Sequence, residues 1–189
     1  MTAQAALSRY LPKPEWYRHG VDPRGIHGVA HAARVLYWAD VLARQIAAPG
    51  ALRGQELRWA AALHDVGRAN EGIDPGHGAR SAAWVLANLA TERPETAALD
   101  LDFIAELSRW HEAHGQDVPL MTLELLILKD ADALDRARIG DLDPSRLRLT
   151  RATRLVDDAR ALERATNRYG AMTEDAVLRA ADRLFGGKA

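Results

Sequence analysis

Apolar positions along the chain recur with a helical period almost throughout, and runs of β-branched and aromatic residues with period two are missing, so the pattern predicts an all-α protein. After the loop signals Pro12-Lys13-Pro14 and Asp22-Pro23-Arg24-Gly25, a helix is expected from about His27 to Ala47, with Val35, Trp38, Leu42 and Ile46 on one face and Pro49-Gly50 ending it. A second, from about Arg53 to His64, aligns Leu57, Ala60, Ala61 and His64, and Gly67 reads as its C-terminal stop. Asn70 to Gly78 reads as a polar loop. Next come helices over about Ala79 to Ala90, with Ala82, Ala83, Val85, Leu86 and Leu89 inward, and over Glu95 to His111, with Leu99, Phe103, Ile104 and Leu107 as its core side. Thr122 is the expected cap of a helix from Leu123 to about Arg138 that is apolar nearly all round. Two amphipathic helices, about Thr150 to Tyr169 and Thr173 to Phe185, meet around Gly170. The reading is thus one bundle of seven or eight helices over residues 1–189, a core at about 25–138 with helices 150–185 packed on it, and no internal repeat.

Composition narrows the chemistry. The 25 basic residues, nearly all arginine, are matched by 26 acidic ones, which argues against general binding of nucleic acid or of an anionic membrane. No stretch approaches the roughly 18 apolar residues of a membrane span, and Met1 to Pro14 lacks the apolar run of a secretory signal, so cytoplasmic residence is expected. With no cysteine, thiolate chemistry is excluded and any metal must be held by carboxylates and the seven histidines.

The most apolar helix carries Asp130 and Asp132, and buried carboxylates are costly unless they are paired or hold a cation. His31, the pair His64-Asp65, and His77 with His111 also sit on inward helix positions or at helix ends, where nitrogen and oxygen donors for a divalent ion would converge. On a helical wheel Asp130 falls with Leu123, Leu126, Ile127 and Leu134, and Asp132 with Leu125 and Leu128; periodicity does not choose between them.

Read in order, Gly28-Val29-Ala30-His31-Ala32-Ala33-Arg34-Val35, then His64-Asp65-Val66-Gly67-Arg68, then the stretch from Asp74 through His77 to Arg80, then Asp130-Ala131-Asp132-Ala133-Leu134-Asp135, the chain resembles the HD superfamily of helical metal-dependent phosphohydrolases over residues 25–138. The resemblance implies His31, His64, Asp65 and Asp132 as ligands of one divalent ion, with Mn, Mg, Fe, Zn, Co and Ni not distinguished. It favours Asp132 over Asp130, leaving Asp130 to orient a ligand or pair with an arginine. It implies His77 and His111 as ligands of a second ion or as contacts to substrate phosphate, with His114 an alternative to His111 and His27 as a capping or supporting side chain; His19 reads as solvent-exposed. Asp65 and Arg68 are the expected catalytic pair, the carboxylate orienting water and the guanidinium stabilising phosphoryl oxygens, with Arg34 and Arg80 behind Arg68. Some relatives carry a glutamate three residues after the aspartate of the pair; Arg68 stands there, which weakens assignment to the deoxynucleoside-monophosphate-cleaving branch and leaves the role of Glu71 open.

The free N–H groups of Gly78, Ala79 and Arg80 offer a further anion site. Trp38, Trp59, Trp84 and Trp110 suit core packing better than base stacking. The expected activity is hydrolysis of a phosphate ester or anhydride in a small molecule, a nucleotide foremost. The alternatives are a di-iron oxygenase on the same six side chains, or a silent nucleotide-binding module.

Overall fold

A computed structural model describes residues 2–18, 21–166 and 173–186; His19, Tyr169 and Gly170 lie outside the described residues. Among the described residues there are nine α-helices and no strand: α1 (Ala3–Leu7), α2 (Val29–Ile46), α3 (Gly54–Leu63), α4 (His77–Glu92), α5 (Leu101–Trp110), α6 (Leu123–Asp135), α7 (Thr150–Thr153), α8 (Val156–Thr166) and α9 (Glu174–Phe185). Helix α2 is the axis of the bundle. It buries Val35, Leu36, Trp38 and Leu42 and packs against α3, α6 and α9, while α4 and α5 lie against each other and α5 also covers α3. Each such fully buried side chain is worth about 1.5–3 kcal/mol of burial free energy. Helix α6 is buried on almost every side, as its all-round apolar pattern requires.

Local chemistry explains where the helices begin and end differently from expectation. Helix α2 starts at Val29, because Gly28 is its extended N-cap and the Val29 N–H donates to Pro23 O at 2.8 Å. A Cβ on Gly28 would lie 2.1 Å from that carbonyl oxygen, so the approach requires glycine and leaves His27 in the loop rather than one helical turn before His31. Gly67 does not cap α3, which ends at Leu63 with His64 as its C-cap; it is where the following turn meets α4, with a Cβ position 2.3 Å from Ser81 N. The expected Glu95–His111 helix is broken: Pro94 opens a 3-10 turn to Ala98, Leu99 is extended, and Asp100 caps α5 by accepting from Phe103 N at 3.0 Å. The helix expected from Thr150 divides into α7 and α8, and Asp157 and Asp158 occupy the first turn of the second piece, where carboxylates favour a new N-terminus.

Two faces also turn out otherwise. Helix α4 begins at His77 and buries Gly78, Ser81, Ala82, Val85 and Leu89, leaving Ala83 and Leu86 exposed. Its closeness to α5 sets this rotation: a Cβ on Gly78 would fall 2.5 Å from Arg109 O. Trp38 and Trp59 are core residues, and the half-buried Trp84 packs on Trp16 with ring centroids 5.0 Å apart. No helix among the described residues is long and apolar enough to cross a membrane.

Candidate metal centre

Four histidines converge from four places in the chain: His31 from the first turns of α2, His64 from the end of α3, His77 from the first residue of α4 and His111 from the end of α5. All four are buried. They form two pairs, His31 Nε2 3.1 Å from His64 Nε2 and His77 Nε2 3.0 Å from His111 Nε2.

The other nitrogen of each ring decides what those short contacts mean. His64 Nδ1 lies 2.9 Å from Ala61 O, His77 Nδ1 2.7 Å from Asp74 O and His111 Nδ1 2.7 Å from Ser108 O. A carbonyl only accepts, so each Nδ1 carries the proton and each neutral ring presents a bare Nε2 lone pair. His31 Nδ1 faces a carboxylate, Asp135 Oδ2, at 2.7 Å, with the same consequence. Within each pair, then, two neutral rings would turn their lone pairs toward one another across about 3 Å, unless one of them takes up a second proton. That is repulsive in the absence of a cation and is the donor set that a divalent ion takes.

Asp65 stands between the pairs. Its Oδ2 is 3.5 Å from His31 Nε2 and 3.8 Å from His64 Nε2, and its Oδ1 is 3.1 Å from His77 Nε2 and 3.7 Å from His111 Nε2. Asp132 belongs to the first pair only, its Oδ1 3.5 Å from His31 Nε2 and 3.9 Å from His64 Nε2. The His31, His64 and Asp132 atoms, and likewise those of His64, Asp65 and His111, lie close enough together to hold an ion.

Burial pushes His64 down to about 3, so it is neutral, and burial likewise lowers His27. Burial and Arg138 press His31 down, but hydrogen bonds to Asp135 and Asp65 outweigh them and raise it. His77 is raised against burial by Asp65. Burial alone would raise Asp65 and Asp132; the imidazoles around them prevail and hold both below the usual carboxylate range.

Other sequence candidates lie elsewhere or do something else. Asp130 orients no member of the cluster: it accepts from Arg148 N, Leu149 N and Arg148 NH1 at 2.7–3.1 Å, so of its two expected uses it takes the arginine. His114 is exposed in the loop after His111 and caps a 3-10 turn. His27 Nδ1 is 2.9 Å from Asp65 Oδ2 and 3.1 Å from Arg138 NH2, and Glu71 reaches its backbone N–H at 3.3 Å. Arg34 is engaged with Asp135 and Arg80 with Asp74, which takes both away from the cluster. Arg68 donates to Gly72 O and Asn70 O, and its NH1 lies 3.5 Å from His77 Nε2 and 3.7 Å from Asp65 Oδ1. Two of the three N–H groups of the expected anion site at the start of α4 are engaged, Gly78 N donating to Glu112 Oε1 at 2.8 Å and Arg80 N to Gly76 O.

Three neighbours escaped sequence reasoning. Asp135 is one helical turn beyond Asp132, the third aspartate on an apolar helix, and that spacing is the signal that could have found it. Glu112 follows His111 directly and sets Oε2 3.0 Å from His77 Nδ1. Lys129, buried in α6, donates to His111 O and Ala113 O at 2.8 and 2.7 Å and so fixes the chain beyond α5; burial lowers it to about 8.

One family pattern, the HD domain, matches residues 28–137, the stretch from the N-cap of α2 to just past α6. The chain belongs to the HD-domain family. No curated protein and no solved structure matches it. Members of the HD family are generally metal-dependent hydrolases, and the cluster just described lies wholly within the matched residues.

Proposed function

We propose that the protein is a metal-dependent phosphohydrolase with a two-ion centre. His31, His64, Asp65 and Asp132 hold one divalent ion, and Asp65, His77 and His111 hold the other. The observation that carries this reading is the pair of facing Nε2–Nε2 couples with the two oxygens of Asp65 turned one to each. Divalent ions there would polarise a phosphoryl oxygen and make a water molecule acidic near neutral pH. The chain's own contribution is placement: Asp65 orients the attacking water, and Arg68 offers NH1 to the phosphoryl oxygens. Solvent reaches the centre on the side of Asp132, whose side chain is 31% exposed, so a small phosphorylated molecule enters there.

Arg68 also ranks the two halves. A guanidinium nitrogen 3.5 Å from His77 Nε2 opposes a second cation, so the His77/His111 half is the weaker. Elemental analysis after loading with excess Mn2+ is expected to give two ions per chain, falling to one on mild dialysis. A panel of nucleotides and other phosphate esters is expected to yield phosphate release that chelator abolishes and that His64→Ala reduces by about a thousand-fold or more, the scale of a lost metal contribution of several kcal/mol. Full release in His64→Ala, or substrate-dependent oxygen uptake in place of phosphate release, overturns the reading.

A further inference from the structure

Two buried arginines converge on a carboxylate that the ligand set leaves unused. Asp135 is 2% exposed. Arg34 reaches its two oxygens through Nε at 2.5 Å and NH2 at 3.3 Å, and Arg138 NH1 lies 3.5 Å from Oδ2. A carboxylate buried without partners would take up a proton. Here both oxygens receive guanidinium N–H groups, Oδ1 from Arg34 and Oδ2 from Arg34 and Arg138, which is the setting of an ionised carboxylate that only accepts. His31 Nδ1, 2.7 Å away, donates to it, so in the neutral ring Nε2 is the lone pair that faces His64 and Asp132.

The acceptors differ among the four rings. His64 and His111 donate to backbone carbonyls, and His77 divides its Nδ1–H between Asp74 O and the partly exposed Glu112, whereas the acceptor of His31 is a buried anion. An anionic acceptor makes the opposite ring nitrogen a stronger metal donor than a neutral carbonyl does. The guanidiniums are themselves held: Arg34 NH1 donates to Thr166 Oγ1 of α8 at 3.4 Å, and Arg138 Nε to Ile26 O at 2.8 Å.

We propose that Asp135, clamped by Arg34 and Arg138, is the positioning residue of the centre: it fixes the tautomer and direction of His31 and makes the His31/His64 half the first to take an ion. This rests on the ligand assignment above. Replacement by asparagine has a specific consequence. Between two guanidiniums the amide oxygen turns to the arginines and the NH2 group to His31, so Nδ1 becomes the acceptor and the proton moves to Nε2, the ligating atom.

The test titrates full-length, 15N-labelled protein with Zn2+, reading affinity by calorimetry and the ring tautomers by imidazole NMR. In the wild type, His31 is expected to keep its proton on Nδ1 throughout. Asp135→Asn is expected to bind the first equivalent about 10–100-fold more weakly, with His31 shifted toward the Nε2–H form and the second equivalent less affected. Arg34→Lys, which keeps the charge and loses the two-pronged contact, gives a smaller loss in the same direction. If Asp135→Asn does not fold, the wild-type spectrum and Arg34→Lys carry the test. A His31 proton on Nε2 in the zinc-loaded wild type overturns the proposal, as does an unchanged first equivalent in Asp135→Asn or, failing that variant, in Arg34→Lys. A wild type that binds no Zn2+ overturns the ligand assignment and this proposal with it, whereas tight wild-type binding without these changes overturns the role of Asp135 alone.

Discussion

The two ends of α2 each bury charge, and they do it in opposite ways. Near the C-terminal end, Asp40 has a side chain 6% exposed and is closed off by Arg58, at 2.7 Å, and Arg44, at 3.0 Å. Tyr37 and these three residues line a cavity of about 600 Å3 together with Asp182, whose carboxylate caps α1 through Ala3 N and Gln4 N. Every carboxylate there has a partner supplied by the chain. At the N-terminal end, His31 meets His64 nitrogen to nitrogen, and the second pair repeats the arrangement. A buried polar cluster completed by its own chain is scaffold; one whose donors face each other is built for something from outside.

This contrast can be broken by measuring stability with and without metal. Asp40→Asn leaves Arg58 and Arg44 without their anion and is expected to cost about 3 kcal/mol, a fall in Tm of roughly 6–12 °C, of the same size in chelator and in excess Mn2+. An effect of Asp40→Asn that vanishes with metal would erase the distinction between the two ends. The next largest effect falls on α6. Asp132→Asn is expected to lose most of the stabilisation that metal confers, about 2–3 kcal/mol for the wild type at a hundred times its dissociation constant, while Asp130→Asn lowers stability equally in both conditions because it serves Arg148 and Leu149. Thermal melts of the two variants side by side, with and without Mn2+, check this.

The smallest effect concerns pH at the scaffold end. Burial raises Tyr37 to about 12 from an ordinary 10.0. Between those values the unfolded chain gives up a proton that the folded one retains, so stability falls as pH rises, by roughly 1 kcal/mol from pH 10 to 11. Tyr37→Phe is expected to flatten that decline in urea melts; an unchanged slope would show that Tyr37 does not titrate in this way.

How much of this was legible in the sequence follows from what each signal depends on. Helical period and the order of His31, His64-Asp65, His77, His111 and Asp132 are local or order-based, so the all-α class and the residues brought together at the centre could be read without coordinates. Choosing Asp132 over Asp130 required the resemblance, because on a helix buried all round the wheel has no dry side to point from. Arg34 and Asp135 meet across 101 positions, and no periodicity carries such a pairing. The face of α4 departs from its apolar pattern at Leu86 because contact with α5, through Gly78 and Arg109 O, sets its rotation. Helix α1 went unread because five residues with Leu7 as the buried anchor give too short a pattern; Asp182, from the far end of the chain, holds its start.

The hydrogen bond from Arg34 to Thr166 has a consequence for where this protein can be cut. The family match ends at residue 137, yet the guanidinium that steadies Asp135 leans on a hydroxyl in α8. A fragment trimmed at the edge of the match would keep every proposed ligand and discard a brace of the scaffold beneath one of them. Keeping that brace requires the chain at least through Thr166, and the boundary drawn by family resemblance falls inside the packed bundle.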